Sequence, residues 1–290
     1  MIAFRVGRFP EARNEVESLP EGDTIAKLAS ALAPQLGGRR LLQVFLKRLA
    51  GDCLAGRVVS SVSSHGKHLL IACDNGLVLR SHLGLYGSWH SYAHNEPWRK
   101  PRRHASIVLS TAERLFVCFN AREVEILSGE GFRLDDRLHR LGPDLAGERP
   151  ELWQVQRRAA ELVAPATPLV DVLLDQRVAA GIGNVYKSEV LFLERLHPLS
   201  PLAALPAAGL ERIYRRAWEL LRRNLGGGPR VTRFVADDQG PLWVYGRSGL
   251  PCLRCGEAVR MARLGEGLRS SYWCPRCQPD RRQPGAPSAG

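Results

Sequence analysis

The sequence predicts a multidomain α+β protein, because the residue pattern changes twice along the chain. Residues from Arg40 to about Ile126 form short β-type runs such as "HLLIAC", "ASIVLS" and "RLFVCF", separated by turn residues. A block with helical periodicity follows, and a last segment from Val244 to Gln278 contains four closely spaced cysteines. We expect a β-sandwich or flattened barrel, then a helical domain, then a small metal-bound finger, because 290 residues can hold two cores of ordinary size.

A first helix precedes the β-rich region. From Thr24 onward, apolar residues recur at helical spacing, with Asp23 or Thr24 placed to cap the helix. Pro20 and Glu21 therefore lie just before the helix N-terminus. Taken alone, "LPEG" is a common way to enter a helix and favours a simple cap.

Helical periodicity returns over residues 152–163, 169–179, 185–193 and 210–225, and a Gly-Gly-Gly-Pro run closes this block. We place an N-terminal domain at 20–135, a helical domain at 136–243, a finger at 244–279 and a frayed tail at 280–290.

The composition favours a polyanionic partner. Forty-one Lys and Arg residues against 29 Asp and Glu residues give a net charge of +12. A genome that prefers arginine codons explains the same excess equally well. No apolar run approaches the roughly 18 residues that span a bilayer, and no signal peptide is visible, so we expect a cytoplasmic protein without a membrane partner.

The cysteine pattern predicts a structural zinc site. Cys252, Cys255, Cys274 and Cys277 have the spacing C-x2-C-x18-C-x2-C, which suits four thiolates around one tetrahedral Zn²⁺. The other three cysteines (Cys53, Cys73 and Cys118) lie among apolar neighbours and are expected to be buried free thiols.

The residues between the two CxxC pairs read as a β-hairpin around a Gly-Glu-Gly turn. This hairpin carries Arg260, Arg263 and Arg269. They are either ordinary solvated arginines or, since so small a finger has almost no core, the residues that it presents to DNA.

Two helices meet at "AAGIGNVYKSE". Gly181 and Gly183 would let the backbone approach a ligand closely, and the amides that start the next helix could bind a phosphate. A tight helix-helix turn is the more common explanation of such a motif.

Four motifs agree with one family. "PEGDTI" at Pro20, "GKHLL" at Gly66, "QRVAAGIGNVYKSE" at Gln176 and "VYGRSGLPCLRCG…RSSYWCPRCQ" at Tyr245 resemble the formamidopyrimidine-DNA glycosylase/endonuclease VIII family of DNA repair enzymes. They occur in family order and cover nearly all of residues 20–278.

The resemblance implies an N-terminal β-sandwich that carries the first helix, a helix-two-turn-helix domain and a β-hairpin zinc finger, acting as a monomer on damaged double-stranded DNA. By motif, Pro20 is the nucleophile and Glu21 the acid/base group. Lys67 and Arg269 are implied as catalytic-site residues that bind DNA. The further DNA-contacting residues are Asn184, Gly183 and Tyr186.

The residue types suit the implied chemistry. A secondary amine at a free N-terminus is partly neutral at physiological pH and can attack C1′ of a damaged nucleotide. The resulting iminium permits β- and then δ-elimination at abasic sites, with Glu21 moving protons. Because a stacked duplex shields C1′, the damaged base must be extruded.

"SHLGLYGSW" favours the endonuclease VIII branch. Leu85 and Tyr86 fall where that branch inserts wedges into the duplex, whereas the guanine-specific branch typically has Met at the first position. The segment between Thr232 and Val244 also looks shorter than the guanine branch's lesion-covering loop. We therefore expect oxidised pyrimidines and abasic sites as substrates. The alternative substrates are 8-oxoguanine and formamidopyrimidine. The alternative for Leu85 and Tyr86 is a place in the sandwich core.

The family pattern requires Pro20 to be the first residue. Leu19 can be encoded by TTG, a bacterial start codon, so we expect residues 1–19 to be a wrongly assigned upstream extension. If the extension is retained, the Pro20 nitrogen is acylated and cannot act as a nucleophile. The alternative function is then that of a DNA-binding zinc protein without catalytic activity. A zinc-ribbon RNA-binding protein ranks last, because it leaves "PEG" and "GKH" unexplained.

Overall fold

The computed structural model describes residues 20–128 and 140–280. The proposed boundary at 135/136, the extension 1–19 and the tail beyond residue 280 lie outside the described residues. The described α-helices are α1 (Gly22–Leu36), α2 (Leu152–Leu162), α3 (Leu169–Leu174), α4 (Asn184–Leu193) and α5 (Gly209–Arg223). The described strands are β1 (Gln43–Leu46), β2 (Val59–His65), β3 (His68–Cys73), β4 (Val78–His82), β5 (Ser88–Tyr92), β6 (Ala105–Ser110), β7 (Leu115–Phe119), β8 (Glu123–Leu127), β9 (Arg260–Leu264) and β10 (Arg269–Trp273).

The N-terminal part is a β-sandwich, as predicted. One antiparallel sheet has the order β1-β6-β7-β5 and the other β2-β3-β4-β8. Residues of both sheets share one core with the apolar face of α1, on which Ile25, Leu32 and Leu36 are fully buried. Helix α1 therefore belongs to the sandwich, and its N-terminus is fixed by that packing.

The start of α1 differs from the prediction. The helix begins at Gly22 with Glu21 as its N-cap residue, whereas we expected Asp23 or Thr24 to cap it. Thr24 still takes part in the cap as the third helical residue of a capping box, because its hydroxyl accepts the Glu21 N–H at 3.4 Å. Asp23 does not cap the helix, since its carboxylate accepts from Arg230.

The central part is helical and has its own core, formed mainly by α2 to α5. Helix α3 ends at Leu174, five residues earlier than predicted. It ends there because Asp175 and Gln176 turn their side chains back to the backbone of residues 174–182. No helix within the described ranges is long and apolar enough to cross a membrane.

The C-terminal part is the predicted hairpin. Strands β9 and β10 pair antiparallel, with Leu264 opposite Arg269, and the turn between them contains Gly265 at φ +76°. A small cluster that includes Val244, Val259 and Cys274 packs this hairpin against Phe192 of α4. Of the three scattered cysteines, Cys73 and Cys118 are buried as expected. Cys53 is exposed, since it lies in a surface turn where Asn75 binds its carbonyl.

Candidate active site

Glu21 is held by a helix of the other domain. Its carboxylate accepts the backbone N–H groups of Gly183 and Val185 at 2.8 Å each and that of Tyr186 at 3.3 Å. These amides form the N-terminus of α4, where the helix dipole favours a negative charge. Glu21 is only 1% exposed, so its carboxylate is fixed in one position.

This contact changes the interpretation of the glycine-rich turn. We considered a phosphate ligand for the start of α4, but Glu21 already uses the amides there. Gly183 and Tyr186 are both buried, and their backbone N–H groups donate to Glu21. A contact of either residue with DNA stays a prediction. A Cβ on Gly183 would lie 2.5 Å from Cδ of Glu21, so glycine is needed for the carboxylate to approach the helix.

The start of α1 also touches the turn directly. The Gly22 N–H donates to the Gly181 carbonyl at 2.9 Å, and Gly181 has φ +114°, which favours glycine. Gln176 holds the turn from behind, since its side chain accepts the Gly181 N–H and donates to the Ile182 carbonyl at 3.0 Å each. The first residues of α1 therefore lie against a rigid support.

Pro20 is half-buried and immediately precedes the buried Glu21. The predicted nucleophile and the predicted acid/base group are thus covalent neighbours at the start of one helix. The side chain of Glu21 points to α4, and Pro20 keeps accessible surface.

Lys67 lies at the turn between β2 and β3, beside the same glycine-rich turn. The preceding Gly66 has φ +56°, and a Cβ there would come within 2.8 Å of the Ala180 side chain. Burial lowers the pKa of Lys67 to about 8, partly opposed by the Glu21 carboxylate and reinforced by Arg230 and Arg269. The charges of Glu21 and Arg269 therefore both act on Lys67 within a single region.

A buried ion pair, missed in the sequence, fixes α1 to the loop after α5. Arg230 donates to both carboxylate oxygens of Asp23, at 2.7 and 3.1 Å, and to the Thr24 hydroxyl at 2.9 Å. Burial opposes ionisation of Asp23, but the Arg230 charge outweighs it and lowers the pKa of Asp23. Arg230 also lies over the ring of Tyr186 at 5.1 Å, so Tyr186 packs beneath the site.

Asn184 is half-buried as the first residue of α4, and two buried charged residues follow it that we did not single out in the sequence. The Lys187 ammonium donates to the Ser270 carbonyl at 2.9 Å and to the Ser271 hydroxyl at 2.8 Å on β10. Glu189 accepts the N–H groups of Trp243, Val244 and Tyr245 at 2.8 to 2.9 Å. Helix α4 therefore holds both the Glu21 carboxylate and the finger.

A signal for these two residues exists in the sequence. Lys187 and Glu189, with Ser188 between them, interrupt the apolar run "VYKSEVLFL" in a helix that has no polar face for them. Charged residues in such a helix need buried partners.

Leu85 and Tyr86 form an exposed apolar turn between β4 and β5. They are 49% and 78% exposed, so the alternative that they belong to the sandwich core is wrong. Glycines shape this turn, because a Cβ on Gly87 would lie 2.4 Å from the Leu83 carbonyl oxygen. The turn thus presents two large side chains to solvent on a tightly constrained backbone.

Arg269 is exposed at the first position of β10. Its charge lowers the pKa of both Lys67 and Lys187, as expected for a cation that extends from the finger toward the site. Arg260 and Arg263 are exposed on β9.

The four predicted metal ligands converge. The Sγ atoms of Cys252 and Cys277 are 3.9 Å apart, and Cys255 lies 3.5 Å from both Cys274 and Cys277. Four thiolates at about 2.3 Å from a tetrahedral Zn²⁺ are separated by about 3.8 Å. The donor set fits zinc, and four protein ligands leave no open position on the ion.

Three family descriptions match successive parts of the chain. They are the formamidopyrimidine-DNA glycosylase N-terminal domain over residues 19–124, the formamidopyrimidine-DNA glycosylase H2TH domain over 141–235, and the zinc finger found in FPG and IleRS over 249–279.

Curated relatives cover most of the chain. A probable endonuclease 8 2 of Streptomyces coelicolor is 40% identical over 90% of this chain and 94% of its own length. The DNA-(apurinic or apyrimidinic site) lyase Nei2 of Mycolicibacterium smegmatis is 39% identical over 90% and 99%. A formamidopyrimidine-DNA glycosylase of Methylococcus capsulatus is 30% identical over 90% and 98%.

The fold has a counterpart among crystal structures. Lactococcus lactis Fpg in complex with DNA that contains N7-benzyl-Fapy-dG superposes with a TM-score of 0.77, at 22% identity, over 90% of this chain and all of that one. The same enzyme bound to abasic-site DNA gives 0.76 at 21%. With these matches and the motifs in family order, the chain belongs to the formamidopyrimidine-DNA glycosylase/endonuclease VIII family, and the relatives above place it nearer the endonuclease 8 branch.

Proposed function

We propose that this protein is a bifunctional DNA glycosylase and abasic-site lyase of base excision repair that uses Pro20 as its nucleophile. The observation that carries the proposal is the Glu21 carboxylate, fixed by three amides at the start of α4 directly beside Pro20. A positioned carboxylate next to a secondary amine is the pair that this chemistry needs.

The reaction begins when the neutral Pro20 nitrogen attacks C1′ and the bond from C1′ to the base breaks, with the departing base taking a proton from water. Glu21 accepts the Pro20 N–H proton and passes it to O4′ as the sugar ring opens, which gives an iminium between Pro20 and C1′. Glu21, again a carboxylate, accepts a C2′ proton as the 3′ phosphate leaves, and loss of a second sugar proton to water expels the 5′ phosphate. Hydrolysis of the remaining iminium frees Pro20.

The remaining site residues bind DNA in this proposal. Lys67, Asn184 and Arg269 contact phosphates around the extruded nucleotide. Leu85 and Tyr86 enter the duplex to fill the gap left by the base. The partner is double-stranded DNA with a damaged base or an abasic site, and the protein acts as a cytoplasmic monomer that contains one structural zinc ion.

We favour oxidised pyrimidines over 8-oxoguanine as substrates. The exposed Leu85–Tyr86 turn supports this preference. The segment after Thr232 supports it too, since Glu189 anchors it at both Thr232 and Trp243 and leaves only a short exposed stretch between them.

A second candidate is a DNA-binding zinc protein without catalytic activity. The observation that favours it is the peptide bond between Leu19 and Pro20 in the full sequence. An acylated proline nitrogen has no lone pair available for attack, so the same fold would bind damaged DNA without cleaving it.

Borohydride trapping separates these functions. Reduction of the iminium leaves a stable covalent adduct between protein and DNA. Protein that starts at Pro20 is compared with protein that starts at Met1, on oligonucleotides that carry an abasic site, thymine glycol or 8-oxoguanine.

We expect adducts only with the protein that starts at Pro20, and more with thymine glycol than with 8-oxoguanine. Intact mass measurement shows whether the longer protein is processed. Equal trapping by an unprocessed longer protein would contradict the role of Pro20, and absence of any adduct would leave the non-catalytic function.

A further inference from the structure

Lys187 is a buried cation whose three protons all have acceptors. It is 0% exposed, and besides the Ser270 carbonyl and Ser271 hydroxyl its ammonium faces Oδ1 of Asn184 at 3.5 Å. Burial lowers its pKa to about 8, and Glu21 and Asp171 oppose that shift. A buried lysine is costly in free energy unless its partners are well placed.

The contact with Asn184 determines how that side chain is oriented. An ammonium group can only donate hydrogen bonds, so the amide oxygen of Asn184 must face Lys187. The two N–H protons of the amide then point away from Lys187 and are left for an acceptor, such as a DNA phosphate.

The contact with Ser271 reaches Arg269. The Ser271 hydroxyl accepts from Lys187 and donates its own proton to the Arg269 carbonyl at 3.1 Å. A hydroxyl has one proton, so the lysine and the Arg269 carbonyl together fix its direction. The Lys187 ammonium therefore also fixes the backbone from which the Arg269 side chain extends.

We propose that Lys187 is a positioning residue that sets two DNA contacts at once, the amide of Asn184 in the helical domain and the guanidinium of Arg269 in the finger. It does not touch DNA itself, because it is fully buried. The proposal rests on the proposed DNA-binding roles of Asn184 and Arg269.

The first test measures equilibrium binding of the full chain to duplex DNA that contains a tetrahydrofuran abasic-site analogue. Lys187→Met keeps the length of the side chain and removes its donors. We expect binding weakened by roughly tenfold, as for other coupled contacts, with zinc content unchanged. Binding needs no free amine, so a failure of the Pro20 chemistry in trapping would leave this test intact.

Double-mutant cycles identify the residues through which Lys187 affects DNA binding. Lys187→Met combined with Asn184→Ala, or with Arg269→Ala, should weaken binding by less than the product of the single effects. Ser271→Ala should be non-additive with Arg269→Ala and additive with Asn184→Ala. It removes the hydrogen bonds that link Lys187 to the Arg269 backbone and leaves the contact with Asn184. Leu85→Ala, on the sandwich, is the control and should be additive with every one of these variants.

If Lys187→Met loses zinc or its folded structure, Ser271→Ala carries the test. Binding unchanged in Lys187→Met, or additivity of Ser271→Ala with Arg269→Ala, would overturn the proposal, since a residue that only stabilises the fold has no reason to couple selectively to these partners.

Discussion

At the scale of single residues, Glu21 combines two demands that a glutamine cannot meet. Its carboxylate accepts three backbone N–H groups. In the mechanism that we propose, it also exchanges protons with the substrate. Glutamine has one oxygen to accept with, and its amide group would point N–H donors at the N–H groups of α4.

Glu21→Gln should therefore reduce base excision by at least about 100-fold, which is the usual contribution of a positioned acid/base group. The melting temperature should fall as well, because a buried mismatch of donors costs about 1–3 kcal/mol. Single-turnover kinetics and thermal melting measure both effects. Glu148→Gln, on an exposed side chain, is the matched control and should behave like the parent protein.

The lowered pKa of Lys67 predicts a pH dependence of DNA binding. Lys67 is protonated below pH 8 and loses its charge as the pH rises through about 8. Affinity for abasic-site DNA should therefore decrease from pH 7 to pH 9, and Lys67→Met should bind weakly with a flatter profile. A profile for Lys67→Met as steep as that of the parent protein would assign the titration to another group, such as Lys187.

Unfolding does not explain such a decrease. The folded pKa of Lys67, about 8, lies below the ordinary value of 10.5, so the unfolded chain binds more protons between these limits. The contribution of Lys67 to the free energy of unfolding therefore rises with pH across that window. Circular dichroism at pH 7 and pH 9 provides the check.

At the scale of elements, the turn from Gly181 to Asn184 is where sequence and structure differ most usefully. Its glycines indicated a close approach of backbone to a ligand, and a close approach exists, but the approaching group is Glu21 of the same chain. A motif alone does not tell which anion comes close. The partner lies 162 residues away, beyond the reach of any local pattern.

Gly183→Ala should displace the Glu21 carboxylate, because the added Cβ would lie 2.5 Å from Cδ of Glu21. We expect base excision to fall by about 100-fold or more, similar to loss of the acid/base group itself, with zinc content unchanged. Gly226→Ala is the control, since a Cβ there meets nothing within 4 Å. Equal activity of the two variants would show that Glu21 does not need its contact with α4.

Elements with a regular apolar period were predictable from the sequence, and those that depend on side-chain pairing were not. The apolar stripe of α1 was sufficient to predict the helix, and the cysteine spacing of the finger was sufficient to predict the metal site. The early end of α3 and the Asp23–Arg230 pair depend on polar partners that become neighbours only after folding. Lys187 and Glu189 lie between these cases, because their place in an apolar helix indicated burial but not their partners.

At the scale of the whole molecule, the finger is attached to the rest mainly through α4, with further hydrogen bonds to Asp171 of α3 and to the Leu196 carbonyl. Lys187 and Ser188 bind β10, and Arg254 of the finger lies 4.5 Å from the centre of the Phe192 ring. The finger has a very small core of its own, so the metal must supply most of its stability.

Removal of zinc with a chelator should therefore abolish specific binding of abasic-site DNA while the sandwich and helical cores stay folded. Far-UV circular dichroism, metal analysis and binding measured together check this expectation. Cys274→Ser should behave in the same way, and Cys118→Ser, whose thiol is buried in the sandwich away from the finger, should retain zinc and binding. A metal-free protein with full affinity would show that Arg269 is dispensable.

The contact between Glu21 and α4 also limits how such a protein can be rearranged by recombination. The Glu21 carboxylate belongs to one domain, and the three amides that hold it belong to the other. A chimera that joins this sandwich to the helical domain of a relative can keep Glu21 in place only if that relative offers the same glycine turn in the same position. Domain exchange within the family should therefore succeed or fail at the fit of one carboxylate into one helix end, whatever the quality of the remaining interface.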